Sequence, residues 1–531
     1  MGVRTGDEEP KGTGRTRARN TAIFSALTAV SRVAGLLREV IAARYYGTSA
    51  PMSAFTVAFQ VPNLVRALFA DAALSAAFVP VFTELLERGD RRRALHLAGS
   101  LFGLIVAVLT ALTALFILIA PVVMPLFTGG DVPQGLDDLT VGLSQILFPI
   151  VVLLGLNGLL IGILNAHDHF TVQALSPVVW NVVIIGLLIA LQPAFTGEND
   201  IYAYAIGILA ATVVQLAMAV PVLRRVGVSL RPNVDWRSPE IRRILVLMLP
   251  VTIGLGLINF NLLINSFIGF LVSVEAPAAI DRAFRIYMLP QGVFSVAIAT
   301  VLFPTLSRLA ARQDYAGLRE QVSSGTRLIL LLLMPAAAAT LVLAEPITRL
   351  VYERGEFDAR STEQAAEALL WFSFSLPFSG LNLLLTRTFF SLQRPWTPTA
   401  LAGVTLLVNT AVSAALYQPL GIGGVVAGTV VATAAMTYGQ ARYLRRHTGG
   451  LDLRRTLRTA AVVTAGSAVL GGVAYGAWWL LDDLLGRTLP AQLVSVGGAL
   501  TLGAAAYAAV IAAGRVQEWQ LLAARLRRNR A

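Results

Sequence analysis

Cysteine is absent from this 531-residue chain. That absence excludes disulfides, iron–sulfur clusters, thiolate zinc sites and cysteine nucleophiles together. Lysine is nearly absent too: Lys11 is the only one, and the other basic residues are arginine. Histidine occurs four times. Charge is scarce, at 14% of residues against 56% hydrophobic, with a mean hydropathy of +0.69. A soluble domain carries about 25% charged residues. So few charges cannot cover a globule of this size, which argues against a soluble enzyme. What is present instead is a succession of apolar stretches, each long enough to cross a bilayer.

Fourteen helices are expected, at 22–46, 52–86, 95–127, 139–164, 172–191, 202–223, 241–272, 278–310, 320–344, 363–391, 397–417, 421–444, 457–481 and 490–513. Arg32, Arg38, Glu39, Arg44, Arg66 and Asp71 interrupt the first two. Cytoplasmic loops are rich in basic residues. With the N-terminus inside, every second connection should be basic. Arg88 and Arg91–Arg93 follow the second helix, Arg224, Arg225, Arg242 and Arg243 flank the sixth connection, and Arg442, Arg445, Arg446 and Arg454 follow the twelfth. The outer connections carry Asp137 and Asp138, Glu198 and Asp200, Glu275, and Asp482 and Asp483, of which the two Asp-Asp pairs are read as solvated loop acids. An even count with both ends in the cytoplasm fits. The formal charge of +12 is then mostly topology and not a nucleic-acid signal. The polar, basic segment 1–20 is followed by no short apolar core with a cleavage site, so no cleaved signal peptide is read.

The chain repeats itself at an offset near 225 residues. Ala58-Phe59 meets Ala283-Phe284, Phe78-Val79-Pro80 meets Leu302-Phe303-Pro304, Pro121 meets Pro346, and Gly155-Leu156-Asn157 meets Gly380-Leu381-Asn382. A repeat of six helices, an even number, orients both copies alike, about an axis along the membrane normal. That is a transporter architecture with its substrate site between the halves. The expected organisation is an all-α polytopic membrane protein: a disordered basic cytoplasmic tail at 1–20, a six-helix lobe at 21–225, a second at 226–446, two further helices at 447–514, and a basic tail at 515–531.

Charged residues within membrane helices cost at least ~2.5–3.5 kcal/mol at the centre on insertion scales, so they mark function. Arg32 and Glu39, seven apart, share one helix face, with Arg38 about 100° from Glu39. Arg66 and Asp71 lie in the second helix; Asp281, Arg282 and Arg285 lie in the eighth. Asp281 and Arg285 are an i,i+4 pair, a spacing that suits a purely structural ion pair. An arginine-rich cavity suits a phosphate-bearing substrate, because guanidinium stays charged and binds phosphate oxygens in a fork. Gly35, Pro62, Pro80, Pro149, Pro290, Pro304 and Pro377 are candidate bends. Catalytic signals are poor. His167-Asp168-His169 has no third ligand nearby, and helix 7 offers Asn259, Asn261 and Asn265 but no acid for a sodium site. No cofactor or metal is expected.

The blocks Ser31-Arg32-Val33-Ala34-Gly35-Leu36-Leu37-Arg38-Glu39, Ala58-Phe59-Gln60-Val61-Pro62-Asn63-Leu64-Val65-Arg66 and Ala76-Ala77-Phe78-Val79-Pro80 closely resemble the MurJ/MviN family. Asp281-Arg282 followed by Leu289-Pro290-Gln291-Gly292-Val293 resembles that family's eighth-helix motif, and the likeness covers about residues 20–515. The resemblance implies a lipid II flippase of the MOP exporter superfamily. It would carry the undecaprenyl-diphosphate-linked disaccharide-pentapeptide across the bacterial cytoplasmic membrane by alternating access, without covalent chemistry. Two six-helix lobes would be followed by a final pair lining a groove for the lipid tail. Arg32, Arg38, Arg66 and Arg282 match the family's cavity arginines, and Glu39 and Asp71 keep its acids' charge. Family members often carry Asp where this chain has Ser53 and Lys where it has Gln60, so one charge of each sign is lost. Membrane lipids and cell-wall synthesis or division proteins would be its partners. The rival readings are a flippase for another polyprenyl-diphosphate-linked glycan, a multidrug antiporter of the same superfamily, a polyprenyl transferase, and an inactive paralogue scaffolding cell-wall enzymes.

Overall fold

In a bilayer every backbone N–H and C=O must be satisfied within the protein, and apolar runs of this length achieve that as helices. The computed structural model describes residues 12–520, apart from 70–71, 130–131, 168, 170, 229, 231 and 449–451. Its helices are α1 (Gly12–Tyr46), α2 (Ala50–Phe69), α3 (Ala72–Glu87), α4 (Arg91–Val123), α5 (Pro125–Thr128), α6 (Leu136–Leu147), α7 (Ile150–Ala166), α8 (Thr171–Leu191), α9 (Tyr202–Arg225) and α10 (Pro239–Phe270). They continue as α11 (Ala276–Pro290), α12 (Val296–Ala311), α13 (Tyr315–Val342), α14 (Ala344–Tyr352), α15 (Ala359–Ser391), α16 (Trp396–Thr448), α17 (Leu453–Leu485) and α18 (Leu489–Ala513). Among the described residues there is no strand. The fold is all-α and polytopic, as the sequence implies.

Among the described residues, eleven stretches are long and apolar enough to cross a membrane, judged by length and composition. Local features account for the difference from fourteen. The expected first helix is present as α1, but its polar and charged residues keep it out of the eleven. The expected second helix is α2 and α3, and α3 has only 16 residues. The expected eleventh and twelfth run end to end in α16, where Gly421 (φ 54°, ψ −133°) breaks the helix between them. α1 begins at Gly12, so residues 12–20, expected as tail, are helical. Of the candidate bends, Pro149 stands at the break between α6 and α7, and Pro290 leads into a π-helical turn, Gln291–Ser295, before α12. Pro62, Pro80, Pro304 and Pro377 lie inside helices, and α1 runs unbroken through Gly35.

The chain forms two compact units that interleave in sequence: Met1–Ala42, Val61–Pro121 and Val141–Leu249 in the first, and Ala43–Gln60, Val122–Thr140 and Pro250–Ala531 in the second. In the first, Phe78 and Phe82 stack at 4.9 Å and are fully buried, with Phe78 lying over Gly162. In the second, α17 and α18 pack on α13 through a cluster that includes Leu331, Val463, Leu470, Ala474, Tyr507 and Ile511. Tyr507 donates to the Leu331 carbonyl at 2.6 Å, and a side chain at Gly466 would crowd the Tyr507 ring.

Candidate functional site

In the first unit, the charged turn of α1 is the only place where the sequence-predicted residues Arg38 and Glu39 can meet, and they do. Both are buried, at 9% and 4% exposure, and the Arg38 guanidinium donates to the Glu39 carboxylate. Their side chains leave the helix about 100° apart yet curl together. The guanidinium also lies 4.8 Å from the ring of Trp180 on α8, a cation–π distance. Trp180 is held in turn: its indole N–H donates to Thr212 at 3.1 Å, and Thr212 donates to the Ile208 carbonyl. A buried cation thus lies against a carboxylate and an aromatic face. Arg32, which shares the helix face of Glu39, is exposed and is not part of this group. Arg66 is half-buried in α2 and donates to Asn63 at 3.1 Å. Asp71 lies outside the described residues.

In the second unit, α11 presents Arg282 with no exposed surface. Its Nη2 donates to the Met52 sulfur at 3.3 Å, its guanidinium carbon lies 5.9 Å from the Tyr352 ring, and the Tyr352 hydroxyl reaches its carbonyl at 3.5 Å. An arginine with no exposed surface is expensive in a membrane helix, and such residues mark function. Next to Met52, the buried Ser53 Oγ accepts from the Ala278 N–H at 3.2 Å. Ala278 is in the first turn of α11, whose own flanking residue Glu275 makes no side-chain cap. Ser53 therefore caps α11 from another helix. Gln60 is half-buried, and its Oε1 is buried without a hydrogen-bond partner among the described residues. Asp281 and Arg285 form the i,i+4 pair, with Nε–Oδ2 at 2.8 Å and Nη2–Oδ1 at 3.4 Å. Their charges offset each other.

Sequence reasoning missed Trp180, Met52 and Tyr352. Each is distant in sequence from its arginine, and a Trp or Met in an apolar helix carries no mark of what it faces. It also misread Asp482. This residue is not a solvated loop acid but lies within α17, its side chain 13% exposed, in an ion pair with the buried Arg349. His167 and His169 place their Nδ1 atoms against the carbonyls of Ile163 and His167, and Asp168 is outside the described residues. Among the described residues no group of three acids or histidines could hold a metal. Asn265 on α10 instead closes a ring with α16: Asn409 donates to Asn265 at 2.7 Å, Asn265 to Thr429 at 3.0 Å, and Thr429 to Asn409 at 3.1 Å.

Comparison with known proteins meets this geometry from outside. The family model described as lipid II flippase MurJ matches residues 42–487. A probable lipid II flippase MurJ of Rhizobium meliloti (strain 1021) is 30% identical over 493 residues, covering 90% of each chain. The lipid II flippase MurJ of Burkholderia cenocepacia is 30% identical over 75% of this chain and 77% of its own. Among solved structures, a lipid II flippase MurJ in an inward closed conformation superposes with a TM-score of 0.76 at 21% identity, over 92% of this chain and 98% of that one. An inward-facing multidrug resistance MATE family transporter of the MOP superfamily superposes at 0.64 with 16% identity, over 80% of this chain and 94% of its own. These likenesses at low identity concern the fold.

Proposed function

The chain belongs to the lipid II flippase MurJ family, and from that premise we propose that it moves lipid II from the inner to the outer leaflet of the bacterial cytoplasmic membrane. It is a multi-pass membrane protein, and the work is transport. Both termini lie in the cytoplasm on this reading, in keeping with the arginines of alternate connections. The diphosphate of the headgroup is the group that arginine recognises best. Arg38 and Arg282 are its principal ligands, with Arg32 and Arg66 contributing on approach or release.

The observation that carries this reading is Arg282: a guanidinium with no exposed surface, held against a thioether and a phenol ring. A cation kept there has to be bared to substrate in another conformation, which is what alternating access supplies. Asp281, Arg285, Glu39 and Asp71 support and gate the arginines. α17 and α18 present large exposed apolar side chains, among them Val469, Val473, Trp479 and Leu493, as a groove for a polyprenyl tail would require.

The test is outer-leaflet lipid II in flippase-depleted bacteria expressing this chain, read with an external probe that cannot cross the membrane. Restored signal is expected, and Arg282→Lys at equal expression should lower it at least tenfold. Lysine keeps the charge but not the planar fork. Full activity in Arg282→Lys and Arg282→Ala alike would remove Arg282 from the substrate site. No signal from well-inserted wild-type protein would point to another polyprenyl-diphosphate-linked glycan.

A further inference from the structure

A second arginine cluster lies far along the chain from Arg282, where α13, the start of α17 and the residues after α18 meet. They enclose a cavity of about 210 Å³ lined by Arg327, Arg455, Arg458, Arg515 and a single carboxylate, Glu518. Arg327 and Glu518 are themselves buried, at 7% and 5% exposure, and Arg327 Nε donates to the Glu518 carboxylate. That pair neutralises itself. It leaves Arg327 Nη1 buried with no hydrogen-bond partner among the described residues. The guanidiniums of Arg455, Arg458 and Arg515 are left as the excess, on exposed residues that solvent and lipid can reach. Asp452 caps α17 through the Arg455 N–H at 3.3 Å and lies 3.6 Å from the Arg455 guanidinium.

A buried, unanswered N–H donor beside three further guanidiniums calls for an anion with several acceptor oxygens. We propose that this cavity binds a phosphate group, in the form of an anionic phospholipid headgroup or of free phosphate. The surroundings favour the lipid. The cavity lies against three long apolar helices, α13, α17 and α18, each long enough to cross a bilayer. Basic pockets between membrane helices are general sites for acidic headgroups. The site is distinct from the Arg38 and Arg282 groups and does not depend on the transport reading.

The experiment is binding to the purified full-length protein in detergent, by native mass spectrometry with thermal unfolding alongside. The probes are phosphatidylglycerol, diacylglycerol and inorganic phosphate. Phosphatidylglycerol is expected to bind about 25-fold more tightly than diacylglycerol, at roughly a factor of five for each of two engaged arginines near a membrane surface. The combined variant Arg455→Gln, Arg458→Gln and Arg515→Gln should lose that preference with its unfolding temperature unchanged, since all three residues are exposed. Asp452→Asn keeps an acceptor at the start of α17 while removing a negative charge, and should tighten binding. Protection by inorganic phosphate equal to that by phosphatidylglycerol would assign free phosphate; protection by the lipid alone would assign the headgroup. Equal retention of phosphatidylglycerol by wild type and triple variant, or no gain in Asp452→Asn, would overturn the proposal.

Discussion

A serine hydroxyl at position 53 closes the first turn of a helix whose capped N–H is 225 residues further along the chain. Removing it with Ser53→Ala should destabilise the protein by about 1 kcal/mol, the usual cost of a lost cap, read as a lower unfolding temperature in detergent. Gln60 offers the opposite sign. Its orphaned Oε1 carries a desolvation cost of about 1–3 kcal/mol. Gln60→Met should therefore raise the unfolding temperature, and if the amide meets substrate, transport should fall in the same variant. At this scale the sequence marked which positions are unusual but not what they do. Ser53 and Gln60 stand out as departures from a charge pattern, whereas a cap whose donor is 225 residues away leaves no local trace. The arginines were legible because charge is expensive in an apolar helix. Their neutral partners Trp180, Met52 and Tyr352 were not, because such residues are common in any membrane helix.

Helices were the most legible level, and their ends and breaks the least. Gly421 shows why: a run of 53 helical residues is interrupted by one backbone conformation, φ 54° with ψ −133°, that hydropathy does not register. Its Cβ position is open, with only Val272 at 3.9 Å. Gly421→Ala therefore isolates backbone strain and should cost about 1–3 kcal/mol, measurable by denaturant unfolding. At the start of α15 the Asp358 carboxylate accepts from the Ser361 N–H at 2.8 Å. That bond, with Arg360 nearby, holds its pKa below the ordinary carboxylate value. A lowered folded pKa gives stability that is present above the unfolded pKa, near 3.9, and is lost as pH falls through the folded value. Asp358→Ala should thus lower stability by about 1 kcal/mol at neutral pH. The gap to wild type should close below about pH 3.9, in a pH series of melting curves.

Across the whole molecule, what holds the last two helices is partly ionic. Arg349 pairs with Asp482 and Arg327 with Glu518, all at low exposure. Asp482→Ala should cost about 3–5 kcal/mol by stranding a buried charge, whereas Arg349→Met with Asp482→Leu should be close to neutral. A double-mutant cycle on unfolding free energies distinguishes the two. The 225-residue offset was visible in the sequence, and the interleaving of the two units was not, because hydropathy says which segments enter a bilayer and nothing of which neighbours they choose. That interleaving has a consequence in time. Residues 43–60 and 122–140 belong to the unit that is otherwise built from residue 250 onward. A ribosome adds roughly 5–20 residues per second. Ser53 is therefore made on the order of ten to forty seconds before the amide it caps. During that interval two segments wait in the nascent chain for a body not yet translated. A message that stopped after residue 249 would leave them waiting permanently, as orphaned helices exposed to whatever surveys unassembled membrane proteins.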